Sequence, residues 1–308
     1  MLKNKLFTNK ISVVALALLV SLLWGSLFPM IKIGYRAFSI DTANVASIIM
    51  FAGLRFLVSG ILLVAALGVQ KKGFPAPEKG SFQAIFVVSM LTVVLHYIFT
   101  YTGLSLADSS KSSVLKQVGF LILPCLIFLV RKDDKFSLRK VIAAILGFIA
   151  VISINLDGMS LAFGMGEILI IAASFTSAIG QVSAKGYYNR FSPSYIVAWG
   201  QLFGGALMFA GGLIFGGKFG AINGASLAVL AYICAASIAA NLIWNTLIKY
   251  NNISTLAVLK SADPLFASIF SGLLLGENIL NLQFLFALLL ICFAIVLSNF
   301  MPNFKKVK

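Results

Sequence analysis

Charged side chains are scarce in this chain. Asp, Glu, Lys and Arg make up 11% of its 308 residues, whereas hydrophobic residues make up 60%. A soluble domain needs about a quarter of its residues charged to cover its surface. The shortage of charge therefore excludes a water-soluble globular protein and predicts an exterior that faces lipid.

Histidine, cysteine and acidic residues are also few, since the chain has one His, three Cys and nine Asp or Glu. The cysteines, Cys125, Cys234 and Cys292, lie inside apolar segments and lack the paired spacing of a metal site or a disulfide framework. A membrane enzyme would need a cluster of such residues near one membrane face, and a channel would need a ring or filter motif. We expect no metal, no cofactor and no enzymatic activity; the enzyme and the channel are the alternatives to transport.

The basic residues outnumber the acidic ones and give a formal net charge of +15. In a soluble protein this excess would indicate nucleic-acid binding. Here most Lys and Arg residues lie in short breaks between apolar runs, where they orient membrane helices against the cytoplasmic leaflet. We therefore expect the lipid bilayer as their partner, and no nucleic acid.

Long apolar runs are what the chain has in abundance. A helix needs roughly 20 apolar residues to cross the hydrocarbon core, and lipid offers no partner to an unpaired backbone group. Ten such runs occur, and we predict a transmembrane helix in each, with no soluble domain between them. The predicted spans are residues 11–33, 44–68, 81–103, 111–130, 138–156, 165–185, 194–216, 226–248, 254–275 and 281–300.

The positions of the basic residues favour one orientation of these spans. With a cytoplasmic N-terminus, 17 of the 24 Lys and Arg residues fall in inside segments or at the inner ends of spans, and four fall in outside segments or at the outer ends; the other three, Arg55, Lys116 and Lys260, lie in the interior of spans. This bias predicts a protein of the plasma (inner) membrane with both termini in the cytoplasm.

The chain repeats itself weakly. The tripeptide Val-Leu-Lys ends at Lys116 in the fourth span and at Lys260 in the ninth. We predict two five-helix repeats, residues 1–156 and 157–308. An odd number of helices in each repeat makes the second repeat inverted, an arrangement typical of transporters whose solute site lies near the midplane, between the repeats.

These features together resemble the EamA-like branch of the drug/metabolite transporter superfamily. The resemblance covers nearly the whole chain and implies ten helices around a central cavity, alternating access, and small metabolites as solutes, commonly in export. Lys116 and Lys260 depart from the family's commonest pattern, which has apolar or small residues there. The resemblance is carried by Trp24-Gly-Ser-Leu-Phe28, Leu54-Arg55-Phe56-Leu57, Ala107-Asp-Ser-Ser110, Asp263-Pro264 and Leu275-Gly276-Glu277.

Lys116 and Lys260 are the leading candidates for a solute site. A charge inside a bilayer is costly unless it is paired or hydrated, so an ionisable residue in a span indicates function. Two ammonium groups beside one cavity would bind a carboxylate or a phosphate. The alternatives are gating ion pairs, or lysines that snorkel or pair with protein groups for structural reasons.

Asp263 is the one acidic residue deep in an apolar run. It lies three residues after Lys260 and therefore on the same helix face. It is the first candidate for a proton-coupling residue, and His96 is the second. Pro264 follows directly and is expected to kink the ninth span near the site.

Polar and aromatic side chains at similar depths complete the predicted cavity wall. The alternative is that they form hydrogen bonds between helices in a dry interface. For the arginine among them, the alternative is a structural role in which it bonds backbone carbonyls. The predicted wall residues are Trp24, Arg55, Tyr97, Tyr101, Gln181, Gln201, Asn241, Trp244 and Asn245.

The sequence therefore predicts an all-α integral membrane protein that acts as a secondary transporter. Its expected solute is an amino acid or another small metabolite with a carboxylate or phosphate, moved by alternating access, with export as the expected direction. The alternative transporter is an efflux pump for lipophilic or cationic drug-like compounds, whose site would be Asp263 and the aromatic residues. The expected partners are this solute and lipid, and the protein is a monomer or a homodimer.

A reporter fused after Lys308 tests the predicted orientation. A reporter that is active only in the cytoplasm should give a signal, because the distribution of basic residues places both termini there. A reporter that is active only outside the cytoplasm is the control and should stay silent. A signal from the external reporter would contradict both the orientation and the even number of spans.

Overall fold

The computed structural model describes residues 5–73, 75–106, 115–116, 119, 137–154, 164–220, 222–276 and 282–299. The regular elements within these ranges are helical. They are α1 (Lys10–Ala37), α2 (Val45–Lys71), α3 (Phe82–Ser89), α4 (Leu95–Leu106), α5 (Leu138–Ile154), α6 (Met165–Tyr187), α7 (Pro193–Ile214), α8 (Gly224–Tyr250), α9 (Ile253–Leu259), α10 (Asp263–Leu275) and α11 (Leu282–Asn299).

Seven helical segments of the described chain are long and apolar enough to cross a membrane: α1, α2, α3 continued into α4, α6, α7, α8, and α9 continued into α10. The fifth and tenth predicted spans correspond to the shorter helices α5 and α11. The fourth, residues 111–130, lies outside the described residues except for Leu115, Lys116 and Gly119. For the described residues, the prediction of an all-helical, multi-pass membrane protein is confirmed, whereas the number of ten spans and the inverted repeat stay predictions.

Short polar side chains mark where several helices begin. Asn9 caps α1 by accepting hydrogen bonds from the backbone N–H groups of Ile11 and Ser12. Asn44 caps α2, and Ser192 caps α7, in the same way. The first turn of a helix has backbone donors without intrahelical partners, and a capping oxygen satisfies them. These residues therefore place the helix starts in the polar connections between apolar runs.

The ninth predicted span is broken in the middle. α9 ends at Leu259, residues Lys260–Ala262 form one turn of 3₁₀ helix, and α10 begins at Asp263. Pro264 explains the break, because its nitrogen has no hydrogen to donate to the Lys260 carbonyl four residues earlier. That carbonyl accepts instead from the backbone N–H of Asp263. The ninth span is thus interrupted directly before Pro264, and Lys260 and Asp263 lie at the junction of two helices.

The third predicted span is interrupted as well, by a π-helical turn at Met90–Val94 between α3 and α4. The N–H of Leu95 donates to the carbonyl of Met90, five residues earlier. π turns occur frequently at functional sites. This one lies against α6, where Thr92 packs on Gly180, and it directly precedes the candidate residue His96.

α2 and α7 run antiparallel and cross with their backbones in contact at glycines. A Cβ added to Gly53 would collide with the backbone of Phe209, and a Cβ added to Gly205 would collide with the backbone of Leu57. A second pair of glycines does the same: a Cβ added to Gly60 would collide with the backbone of Leu202, and a Cβ added to Gly212 would collide with Met50. Each helix therefore presents glycines to the backbone of the other.

α1 lies between α8 and α10 in the packing that surrounds the broken span. The most extensive contact between two helices is that of α2 with α7. The next most extensive are those of α1 with α8, α5 with α11, α4 with α6, and α1 with α10. The largest buried cluster contains Trp244, Leu259 and Ala262, and Trp24 packs against it. The core of the protein therefore adjoins the break at Lys260–Ala262.

The variant Gly205→Ala tests the close crossing of α2 and α7. The added methyl group would collide with the backbone of Leu57, and overpacking of this kind costs about 1–3 kcal/mol. We expect a lower midpoint of thermal unfolding in detergent.

Gly211→Ala is the matched control in the same helix, because no described atom lies within 4 Å of its added Cβ. Alanine favours a helix over glycine by about 1 kcal/mol, so this midpoint should stay the same or rise. Equal midpoints for the two variants would contradict the packing.

Candidate functional site

Lys260 and Asp263 form an ion pair at the break in the ninth span. Lys260 Nζ lies 2.6 Å from Asp263 Oδ2, and the two side chains are 12% and 13% exposed. The spacing of three residues predicts this contact, and the structure confirms it. Breaking a buried pair is strongly destabilising, because it leaves one charge without its partner.

Two tryptophans from other helices surround the same ammonium group. Lys260 Nζ lies 3.5 Å from the ring centroid of Trp24 in α1 and 5.1 Å from that of Trp244 in α8. The two rings pack edge to face, with centroids 5.5 Å apart. A desolvated cation over an indole face is stabilised by about 2 kcal/mol. Asp263, Trp24 and Trp244 thus form a cation-binding pocket, here called the tryptophan pocket, which the Lys260 ammonium occupies.

Gln181 of α6 orients Trp244. The indole N–H of Trp244 donates to Gln181 Oε1 at 3.1 Å, and both side chains are buried. At the next residue of α8, Asn245 Oδ1 accepts a hydrogen bond from the hydroxyl of Tyr188, just after α6. α6 therefore holds α8 in place beside the pocket, and the predicted residues Trp24, Gln181 and Trp244 come together around Lys260.

Asp263 keeps unused bonding capacity. Its Oδ2 pairs with Lys260, whereas its Oδ1 is buried and has no hydrogen-bond partner among the described residues. Buried polar atoms in native proteins nearly always have one. An unpartnered carboxylate oxygen can accept a proton, or a hydrogen bond from a bound molecule.

Lys116 lies in a short described stretch that packs beside α6. Its backbone carbonyl accepts a hydrogen bond of 3.0 Å from the hydroxyl of Ser174. This contact places the Lys116 side chain within electrostatic range of Lys260, Arg55 and Asp263. The two lysines proposed from the sequence therefore lie in one region of the protein.

Arg55 of α2 is the centre of a second group of side chains. It is 2% exposed, and its guanidinium carbon lies 4.4 Å from the ring centroid of Phe56 and 5.0 Å from that of Tyr97. The ring of Tyr101, one turn along α4, lies 5.8 Å from that of Tyr97. Arg55 Nε and Nη1 are buried and have no hydrogen-bond partner among the described residues.

Tyr35 and Phe56 belong to this second group, although the sequence did not single them out for the site. Tyr35 lies within electrostatic range of both Arg55 and Tyr101. It was missed because the first predicted span ends at residue 33, whereas α1 continues to Ala37. Phe56 directly follows Arg55, and this adjacency is a signal that could have found it.

His96 forms a hydrogen bond with the backbone of α6. Its Nδ1 lies 2.9 Å from the carbonyl oxygen of Ala173. Because a carbonyl only accepts, Nδ1 carries the hydrogen and Nε2 carries the lone pair. The ring lies within electrostatic range of the three basic side chains of the region, and a positive charge on it would be repelled. This surrounding favours Asp263 over His96 as a proton carrier.

Asn241 and Gln201 are not joined to either group by a hydrogen bond of the described residues. The side-chain amide of Asn241 donates to the carbonyl of Ser237 within α8, at 2.8 Å. Gln201 is buried in α7, and its Oε1 has no partner in the described part of the chain. Their place in the wall of a cavity stays a prediction.

The chemistry of this region is that of binding. Guanidinium, ammonium, phenol and indole groups can all donate to or attract an anion, and the tryptophan pocket can hold a cation. Among the described residues, His, Cys, Asp and Glu do not gather in a group of three or more that could hold a metal ion. The region therefore offers an ionic solute a choice of contacts of both signs.

A family model matches the chain twice. The model described as the EamA-like transporter family matches residues 11–156 and again residues 164–300. A curated relative from Archaeoglobus fulgidus, named "Uncharacterized transporter", is 27% identical over 285 residues, which are 91% of this chain and 83% of the relative. A relative from Escherichia coli (strain K12), named "Probable amino-acid metabolite efflux pump", is 28% identical over 304 residues and covers 89% of this chain and 91% of its own.

A solved structure, described only as the crystal structure of a protein, has the same fold. It superposes with a TM-score of 0.77 and covers 94% of this chain and 99% of its own, at 16% sequence identity. At this identity the likeness shows the fold alone.

Proposed function

Because this chain belongs to the EamA-like transporter family, we propose that it is a secondary transporter that exports a small metabolite by alternating access. The solute is an amino acid or another small molecule with a carboxylate or a phosphate. The observation that carries this proposal is the largely buried Lys260 side chain, 12% exposed, at a broken helix. Ionisable groups inside a membrane mark solute and ion pathways, and broken helices form the binding sites of many transporters.

The proposed architecture is ten spans in two inverted repeats, residues 1–156 and 157–308. The family model matches once in each half, which supports the division. The reciprocal glycine contacts of α2 and α7 are those expected on the two sides of a twofold axis in the membrane plane. In the proposed repeats, α1 corresponds to α6 and α4 corresponds to α8. The contact of α1 with α8 therefore has a counterpart in the contact of α6 with α4.

We place the protein in the plasma membrane with both termini in the cytoplasm. The 17 basic residues that fall on one side of the proposed spans support this orientation. The proposed partners are the solute and the lipid bilayer, and the protein acts as a monomer or a homodimer.

Lys260 and Lys116 are proposed to bind the anionic group of the solute. Asp263 neutralises Lys260 when the site is empty, and an arriving carboxylate or phosphate competes with Asp263 for the ammonium group. Lys116 lies near enough to both residues to attract the same anion. The efflux pump named for amino-acid metabolites, at 28% identity, supports amino acids as the class to test first.

The tryptophan pocket favours a second candidate function, the efflux of lipophilic or cationic compounds. Trp24, Trp244 and Asp263 already hold an ammonium group, and an organic cation would replace Lys260 there. An enzyme has no comparable support, because the relatives are named as transport proteins.

The variant Lys260→Ala tests the site. Amino acids, organic acids, sugar phosphates and lipophilic cations are screened for a rise in the thermal unfolding midpoint of the purified protein, since a ligand of the folded state stabilises it. We expect anionic solutes to stabilise the wild type and to bind Lys260→Ala at least tenfold more weakly, because a charge-assisted bond contributes about 1.5–3 kcal/mol.

Lys218→Ala removes an exposed loop lysine and is the matched control, which should bind like the wild type. Equal solute affinity in Lys260→Ala and the wild type would refute the site. Stabilisation by lipophilic cations that grows stronger in Lys260→Ala, where the pocket is vacated, would establish the second candidate function.

The variant Asp263→Asn tests proton coupling. Asp263 Oδ1 has no hydrogen-bond partner among the described residues and is free to receive a proton, whereas an amide cannot cycle one. In vesicles, a pH gradient should drive solute accumulation by the wild type and not by the variant, while solute exchange without a gradient persists in both. Undiminished gradient-driven accumulation by Asp263→Asn would exclude Asp263 as the coupling residue.

A further inference from the structure

The guanidinium of Arg55 is buried without being satisfied. Its exposed fraction is 2%, and two of its three nitrogens, Nε and Nη1, have no hydrogen-bond partner among the described residues. Leaving a buried charged donor without a partner costs several kcal/mol. A structural arginine would use these nitrogens to bond backbone carbonyls of neighbouring helices. In the described part of the chain, these two do not.

No described carboxylate neutralises Arg55. Tyr35, Tyr97, Tyr101 and Cys234 lie within electrostatic range and are neutral, Lys116 is also in range and is itself positive, and the nearest ring belongs to Phe56. Aromatic faces offset part of the cost of burying a cation, but they do not neutralise its charge. The tyrosine hydroxyls add hydrogen-bond donors beside the guanidinium. The surroundings of Arg55 therefore lack one negative charge and offer donors to the group that would supply it.

Different aromatic residues of α1 lie near Arg55 and in the tryptophan pocket. Trp24 contacts Lys260, whereas Tyr35, on the same helix α1, lies in range of Arg55. Eleven residues of helix separate the two aromatic rings' attachment points, which corresponds to about 16 Å along the helix axis. Lys116 is in electrostatic range of both Arg55 and Lys260. The surroundings of Arg55 and those of Lys260 therefore have one basic side chain, Lys116, in common.

We propose that Arg55, Tyr35, Tyr97 and Tyr101 form a second anion subsite, which binds the carboxylate of a solute whose body packs on the aromatic rings. A carboxylate supplies the negative charge that these surroundings lack, and it matches the planar guanidinium. The subsite rests on the proposed function for the origin of its ligand.

Benzoate and benzamide are the probes that test the subsite, because they share a ring and differ in charge. Calorimetry on the purified, detergent-solubilised protein gives both affinities. We expect the wild type to bind benzoate at least tenfold more tightly than benzamide, and Arg55→Met to lose this preference. Arg55→Lys, which keeps the charge but not the planar group, should keep a preference that is weaker than in the wild type.

The stability of Arg55→Met separates a binding role from a structural one. Methionine keeps the length of the side chain and removes an unsatisfied charge, so the unfolding midpoint without ligand should be unchanged or higher. A variant that fails to fold, or unfolds at a clearly lower temperature, would assign Arg55 a structural role and overturn the proposal. An unchanged benzoate preference in Arg55→Met would overturn it as well.

The result is distinguishable from a failure of the proposed function. Lys218→Ala is the control for loss of a positive charge and should keep the benzoate preference. If Arg55→Met loses that preference while wild-type vesicles transport no member of the solute panel, the subsite stands and the transporter proposal fails. If wild-type vesicles transport an anionic solute and Arg55→Met binds benzoate as before, the transporter stands and the subsite fails.

Discussion

The partial burial of the Lys260 ammonium within an apolar span is the constraint on which the rest of the site depends. A charge within a membrane protein costs several kcal/mol unless its surroundings compensate it. The compensation here comes from three helices, since Asp263 begins α10, Trp24 lies in α1 and Trp244 lies in α8. Each of these helices must keep its position for the ammonium to stay stabilised. The electrostatic stabilisation of Lys260 therefore depends on the packing of α1 between α8 and α10.

Two continuous helices cross closely, whereas two of the spans that contribute residues to the site contain irregular turns. α2 and α7 have backbones in contact at glycines on both sides of the crossing, so close packing leaves them little room to slide past each other. The third and ninth predicted spans contain a π turn and a 3₁₀ turn instead. An irregular turn interrupts the regular hydrogen-bond ladder, and helices bend at such places. In the proposed transport cycle, movement therefore belongs to the broken spans, against a frame that includes α2 and α7.

Local sequence spacing predicts the parts of the site that depend on neighbours in the chain. The ion pair of Lys260 with Asp263 follows from a separation of three residues, and the break follows from a proline that cannot donate to the fourth residue before it. Contacts between distant segments do not follow in this way: nothing local indicates that Trp24 lies over Lys260 rather than facing lipid. The π turn at Met90–Val94 has no proline or glycine to mark it. Tyr35 was missed because apolar composition falls off before the helix ends.

The two basic centres differ in what a bound anion must displace. At Lys260 the solute competes with Asp263, which already holds the ammonium at 2.6 Å. In the proposed site, the apparent affinity for the solute would therefore be lowered by the fraction of time that the internal pair is closed, and closure of the pair would compete with the bound solute. Arg55 has no described carboxylate beside it, so a solute binding there meets no such competitor. A solute that moves from Lys260 to Arg55 would leave an ammonium group that Asp263 can pair with again. It would reach a guanidinium group that has no described carboxylate to pair with. This asymmetry gives the proposed pathway one position that favours release and one that favours capture.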